Sequence, residues 1–274
     1  MADFQLPAGQ LMTGKKGLVM GVANHNSIAW GIAAQIAAQG GEVALGFMAA
    51  NEKRVRPLGE SIGARIFAPF DAASDDSMAA AFAIVEEAYG TIDFLVHAIA
   101  YADRSQISGS FVEGATREAF AQALDISAYS FVDAARRASR LMPNGGSMIT
   151  LTYLGSERAI PNYNTMGVAK AALEAAMRYV ARDLGPRGIR VNAISAGAMR
   201  TLSLAGIAGG RAMLAQGRTL SALKEDTSME GVAGCALWLL SDLGRSTTGE
   251  VVHVDAGFHM MGLPSGEEGS PAPG

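Results

Sequence analysis

The chain has 274 residues, 49% of them hydrophobic and 18% charged, a balance that excludes a disordered, solvating polymer and suits one large α/β domain. A net charge of −4 argues against nucleic-acid binding by bulk electrostatics. The single cysteine, Cys235, excludes an intrachain disulfide and a cysteine-based metal site.

The opening residues carry no basic stretch followed by an apolar one, so no signal peptide is expected. Leu18–Ala23 is the first apolar run of strand length and ends in Gly21-Val22-Ala23. Ser27–Gln39 reads as a helix, with Ser27 as a possible cap and Gly40-Gly41 as its stop. Glu42–Met48 is strand-like, Glu52–Ile62 is weakly helical and broken near Pro57, and Arg65–Asp71 is a strand closing on an acid. Asp75–Tyr89 is a helix and Ile92–Ala100 a buried strand. One long helix is expected from about Arg117 to Leu141, then a turn at Pro143–Gly146 and a strand over Ser147–Tyr153. A helix over Asn162–Leu184 follows Pro161; Ile189–Ala196 is a strand, Ser228–Ser241 a helix and Glu250–Phe258 the last strand.

Seven apolar strands with helices between most of them predict a single-domain, Rossmann-like, doubly wound α/β sheet of about seven parallel strands, with helices on both faces. The domain is expected over 1–264. Ser203–Arg218, with four glycines, is expected to be a mobile lid, and 265–274 a disordered tail. No apolar run approaches the ~20 residues of a membrane span, so a soluble, cytoplasmic protein is expected.

Ligands of such sheets bind beyond the carboxyl ends of the strands. Gly21 offers a close backbone approach there, and the amides near Ser27 and Ile28 open a helix that could meet a pyrophosphate; a purely structural glycine turn fits equally well. Asp71 is either an acceptor for an adenine amino group or a turn residue. Tyr163 and Lys170 lie seven positions apart, about two helical turns, and so within ~20° of one face. Gly167 between them leaves room for a flat ring. A lysine beside a tyrosine favours the phenolate and strengthens the phenol as an acid. Tyr153, ten residues before Tyr163, is either packing or part of the same cleft. His97 and His253 read as core histidines; His259 is isolated.

Tyr153, Tyr163 and Lys170, within the run Thr150-Leu-Thr-Tyr-Leu-Gly-Ser-Glu-Arg-Ala-Ile-Pro-Asn-Tyr-Asn-Thr-Met-Gly-Val-Ala-Lys170, resemble the bacterial NADH-dependent enoyl-acyl carrier protein reductases. These are the divergent branch of the short-chain dehydrogenase/reductases. Gly21…Ser27-Ile28-Ala29, Asp125–Phe131, Arg190–Gly197, Arg200-Thr201 and Gly249–Asp255 carry the same resemblance, which runs from about Thr13 to Gly262. It implies NADH-dependent reduction of the trans-2 double bond of an enoyl thioester carried by acyl carrier protein, in a homo-oligomer, by family habit a tetramer. It implies Tyr153, Tyr163 and Lys170 as catalytic residues. Gly21, Ser27, Ile28, Asp71, Ala72, Ile99, Lys170, Ala196 and Met199 match cofactor positions. Ala102, Tyr153, Tyr163, Met166, Leu202 and Ile207 match substrate positions. No metal, nucleic acid or membrane is implied.

Met48, Ala98, Ala100, Ala198 and Gly209-Gly210 depart from the family pattern. Alanine at both 209 and 210 is expected to lower KM by restricting the lid. Two other readings stay open: a carbonyl or alcohol oxidoreductase with the same Tyr and Lys, and a nucleotide sensor without turnover.

Overall fold

The computed structural model describes residues 8–262; the expected tail at 265–274 lies outside them. Seven strands form one parallel sheet: β1 (Lys16–Met20), β2 (Glu42–Phe47), β3 (Ile66–Pro69), β4 (Phe94–His97), β5 (Gly146–Thr152), β6 (Ile189–Ala196) and β7 (Val251–Val254). Their order is β3-β2-β1-β4-β5-β6-β7, with the reversal between β1 and β4, where Val19 pairs with Val96 and Met20 with His97. That reversal opens a crevice beyond the strand ends.

The strands are apolar at successive positions because both faces are covered. Phe94, Leu95 and Val96 are all fully buried. Val19, Phe94, Val96 and Ile149 face one core, shared with helices α1 (Ile28–Ala38), α2 (Glu52–Ser61) and α10 (Met229–Leu240). Leu18, Met20, Leu95 and Met148 face the other. There they meet α3 (Asp75–Tyr89), α6 (Ser130–Arg140) and α7 (Asn164–Leu184). Caps set several helix starts: Ser74 accepts from the Ser77 amide, and Ser228 from that of Gly231.

Several elements differ from expectation. Pro57 does not break α2; the ring is exposed, so the carbonyl it leaves unpaired can be hydrated. The helix expected at 117–141 is α5 (Arg117–Leu124) and α6 joined by a π turn over Asp125–Tyr129. Asn162, at φ 64°, delays α7 to Asn164. A 3-10 turn (Arg104–Ile107) and a short helix α4 (Phe111–Gly114) fill the gap after β4. The segment expected as a mobile lid folds into α8 (Leu202–Gly206) and α9 (Gly210–Leu220).

Candidate active site

A cavity of about 660 Å³ lies over the carboxyl ends of β1, β4, β5 and β6. Its wall toward β1 begins at Gly21, whose φ is +99° and where a Cβ would meet the Ala98 carbonyl oxygen at 2.1 Å. Only glycine permits that approach. Ser27 does not cap α1: its Oγ donates to the Asn24 carbonyl at 2.6 Å and accepts from the Ala23 amide at 3.3 Å. That closes the turn, so the amino end of α1 faces the cavity with Ser27 and Ile28 at its rim. A helix start with open amides suits an anionic pyrophosphate.

The floor comes from β4. His97 is fully buried, with Nδ1 3.0 Å from Thr150 Oγ1 and Nε2 2.9 Å from Ser130 Oγ. Burial, reinforced by Lys170, pushes its pKa down to about 3, so it stays neutral and structural, as its apolar strand suggests. The π turn then acts on the loop beyond: Ser127 Oγ accepts from the Tyr101 amide at 2.9 Å and donates to the Tyr101 carbonyl at 3.0 Å. Such turns occur often at functional sites because they re-aim side chains.

Tyr153 closes β5 and Tyr163 opens α7. Their rings meet edge to face, centroids 4.9 Å apart, a preferred aromatic geometry. Burial, with Asp255 as a lesser cause, pushes the Tyr153 phenol up to about 12. Burial, then Tyr153 and Glu174, pushes Tyr163 far above the ordinary tyrosine range. The expected acidification of Tyr163 by Lys170 is therefore overturned: desolvation of the phenolate wins, and the phenol stays protonated. Lys170 Nζ donates to the Leu151 carbonyl at 2.7 Å, and burial brings its pKa down to about 8 despite the pull of Glu174.

Gly167 also serves differently from expectation. A Cβ there would meet the Gly155 carbonyl oxygen at 2.6 Å, so its smallness seats α7 on the turn after β5 rather than admitting a ring. His253 is not a core residue: it sits on β7, paired with Glu157 at 3.0 Å and stacked on His259, centroids 4.0 Å apart. His259 in turn bonds Asp255 at 2.9 Å.

Gly21, Ser27, Ile28, Ile99, Lys170, Ala196 and Met199 all line the main cavity, as do Ala102, Tyr153, Tyr163, Met166, Leu202 and Ile207. Asp71 and Ala72 do not. Asp71 is exposed just past the end of β3 and its Oδ1 accepts from the Ala73 amide at 3.0 Å, a turn bond that leaves a carboxylate further acceptor sites for a ligand. Ile107, Leu204 and Met213 also line the cavity. Ile107 was missed because an irregular loop gives no periodicity to place it, whereas Leu204 and Met213 belong to the apolar set expected to meet the acyl chain.

The segment expected as a lid is held by Asn162, whose Oδ1 accepts from the Gly109 amide and whose Nδ2 donates to the Ala208 carbonyl, both at 3.0 Å. Gly209 has φ +84°, and a Cβ on Gly210 would meet the Leu204 carbonyl oxygen at 2.4 Å. Alanine at these positions therefore disrupts the α8–α9 junction instead of pre-ordering it. The double variant is expected to raise KM for short acyl thioesters severalfold and to speed proteolysis between 202 and 218. A lower KM, or unchanged proteolysis, would sink this.

The family model for enoyl-(acyl carrier protein) reductase matches residues 21–259. The chain is 50% identical to enoyl-[acyl-carrier-protein] reductase [NADH] 1 of Rhizobium meliloti, covering 93% of this chain and 94% of that protein. It is 44% identical to the Rickettsia bellii reductase [NADH] FabI, over 92% and 96% of the two chains. Among solved structures, the Anaplasma phagocytophilum reductase in complex with NAD superposes with a TM-score of 0.91 at 47% identity, covering 95% of this chain and all of that one. The Bacillus cereus reductase with NADP+ and an indole naphthyridinone gives a TM-score of 0.90 at 43% identity, over 93% of this chain and all of that one.

Proposed function

The chain belongs to the enoyl-(acyl carrier protein) reductase family, and on that premise we propose that it reduces the trans-2 double bond of enoyl thioesters in fatty-acid elongation, with NADH. The observation that carries this reading is the convergence of Tyr153, Tyr163 and Lys170 on one cavity whose opposite wall is a glycine cradle at a helix start.

Gly21, Ser27 and Ile28 would hold the pyrophosphate, and Lys170 the nicotinamide ribose. NADH, when bound, supplies two electrons and a hydrogen to the β-carbon of the thioester. Negative charge then develops on the thioester oxygen, and a proton taken up at the α-carbon completes the reduction. Tyr163, kept protonated by its surroundings, donates a hydrogen bond there; a donor fixed in place is most valuable where charge appears. Tyr153 lines the pocket beside the reacting centre, and Leu202, Leu204 and Ile207 give the acyl chain an apolar wall.

The first test is oxidation of NADH with crotonyl thioester, followed by absorbance. Turnover of a ketone but not of the enoyl thioester would favour the carbonyl/alcohol reading; binding without turnover of either would favour a sensor. NADH should give the higher kcat/KM than NADPH. A 2′-phosphate needs a cation past β2, where exposed Met48 begins a turn; the nearest cations, Lys53 and Arg54, come only in α2 beyond that turn, and Arg56 is paired with Glu52 at 2.6 Å. A higher kcat/KM with NADPH would refute this.

Acyl carrier protein, acidic as a class, would dock by the groove of about 980 Å³ that Arg200, Arg211 and Arg218 line with the lid. Arg218 is paired with Asp226, so two cations remain and docking should weaken with salt.

We also infer a homotetramer. β7 is a sheet edge, and its valines remain partly accessible, a strand edge that an assembly would cover. Light scattering at micromolar concentration checks this, and a monomer would refute it. No helix among the described residues is long and apolar enough to cross a membrane.

A further inference from the structure

Glu174 is a carboxylate that the reaction as described does not use. It is only 6% exposed, and carboxylates are seldom so buried without a partner. Its partner is Thr152, whose Oγ1 donates to Glu174 Oε1 at 2.5 Å. One helical turn earlier on α7, Lys170 donates to the Leu151 carbonyl. Two consecutive residues of β5, just before Tyr153, thus receive the cation and hold the anion. Away from the main cavity, Glu174 lines an opening of about 510 Å³ with Ser156, Glu157, Arg178, Glu250 and His253. Ser156 Oγ there is buried with no protein partner, which marks the opening as polar.

We propose that Glu174 is the positioning residue that keeps Lys170 charged and Tyr163 protonated, acting as a fixed countercharge pinned by Thr152 to the strand beneath both. A negative charge stabilises an ammonium and opposes a phenolate, so one carboxylate holds both groups in the states the reaction uses. The other titratable groups around the pair do not replace it. His97 on β4 is neutral, and Tyr153 on β5 is an un-ionised phenol. Glu157 is shared with His253 on β7, while Arg178 and Glu250 sit at the outer opening.

The proposal rests on the reading of Lys170 and Tyr163 given above. Glu174→Gln keeps the shape and the acceptor for Thr152 but removes the charge; Glu174→Asp keeps the charge. Two profiles are measured against pH: NADH affinity by nucleotide fluorescence without thioester, and kcat/KM with crotonyl thioester. In E174Q the alkaline limb of both should move down by about one pH unit, roughly a tenfold loss on that limb, with little change at acid pH. E174D should follow the wild type. Superimposable limbs in E174Q and wild type, or equal displacement in E174D, would overturn the proposal. Should E174Q fail to fold, Glu174→Met removes the charge at similar length and should move the limb the same way; an unmoved limb overturns the proposal equally. A wild-type chain inactive on crotonyl thioester would count against the functional reading instead, while the limb of NADH binding still tests Glu174.

Discussion

Tyr163→Phe is expected to lower kcat by about 10²–10³-fold, the usual loss when one donor to a developing oxyanion is removed. NADH affinity should stay within about a factor of two, because only a bond made in the transition state is lost. The structure makes the substitution clean. The ring packs edge to face on Tyr153 at 4.9 Å and fills the space beside Gly155, where a Cβ would meet it at 2.2 Å. Phenylalanine keeps those contacts, so the fold and the Tyr153 position survive. Steady-state kinetics with a fluorescence titration of NADH separate the two effects. A parallel loss of NADH affinity would show that the hydroxyl serves the cofactor rather than the thioester.

Lys170→Met should do the opposite of what a catalytic loss usually brings: turnover and NADH affinity collapse together, yet the apo chain becomes more stable at neutral pH. Burial lowers the Lys170 pKa from 10.5 to about 8, so folding works against its charge. The sign follows from linkage. Below pH 8 the lysine is charged in both states and the full penalty applies. Between pH 8 and 10.5 the unfolded state binds more protons, so the penalty fades as pH rises; above that range it is gone. At about 1.4 kcal/mol per pKa unit the penalty is on the order of 3 kcal/mol. That figure is already net of the pull of Glu174, so the freed Leu151 carbonyl is what offsets it, leaving a net gain on the order of 1–2 kcal/mol, a few degrees in Tm. Melting curves of the ligand-free variant at neutral and strongly alkaline pH check this. A gain of equal size at both would mean that packing, not the buried ammonium, is responsible.

The frame was legible because strands buried on both faces must be apolar at every position. Leu18-Val19-Met20 and Phe94-Leu95-Val96 announce themselves for that reason. The candidate site was legible chiefly through the family resemblance, with helix spacing setting Tyr163 and Lys170 on one face and a strand end presenting Gly21. What escaped depends on how groups are solvated or on single backbone departures. Spacing puts Lys170 near Tyr163, but says nothing of how far each is removed from water, and desolvation reversed the inferred acidity. Gly167 has the right face for a ligand, yet the Gly155 carbonyl already occupies it. Helices α8 and α9 were hidden because glycines suppress helix propensity while tertiary contacts, such as Asn162 to Ala208, supply it.

The π turn at Asp125–Tyr129 amounts to one surplus residue threaded into an otherwise ordinary helix. Each residue advances a regular helix by about 100°, and the π turn absorbs the surplus one by widening, so deleting one residue here would restore a regular ladder with α5 and α6 nearly in place but the residues of the turn re-aimed. Ser130 would keep its grip on His97, whereas Ser127 would turn away from Tyr101. The surplus residue thus lets two serines three positions apart address strand β4 and the loop that follows it. In a deletion scan of this helix, the losses should be graded by side: tolerable within the exposed stretch of α5, severe between 125 and 129. Lineages that carry the bulge are correspondingly locked into it, since no single point substitution removes a residue from the chain.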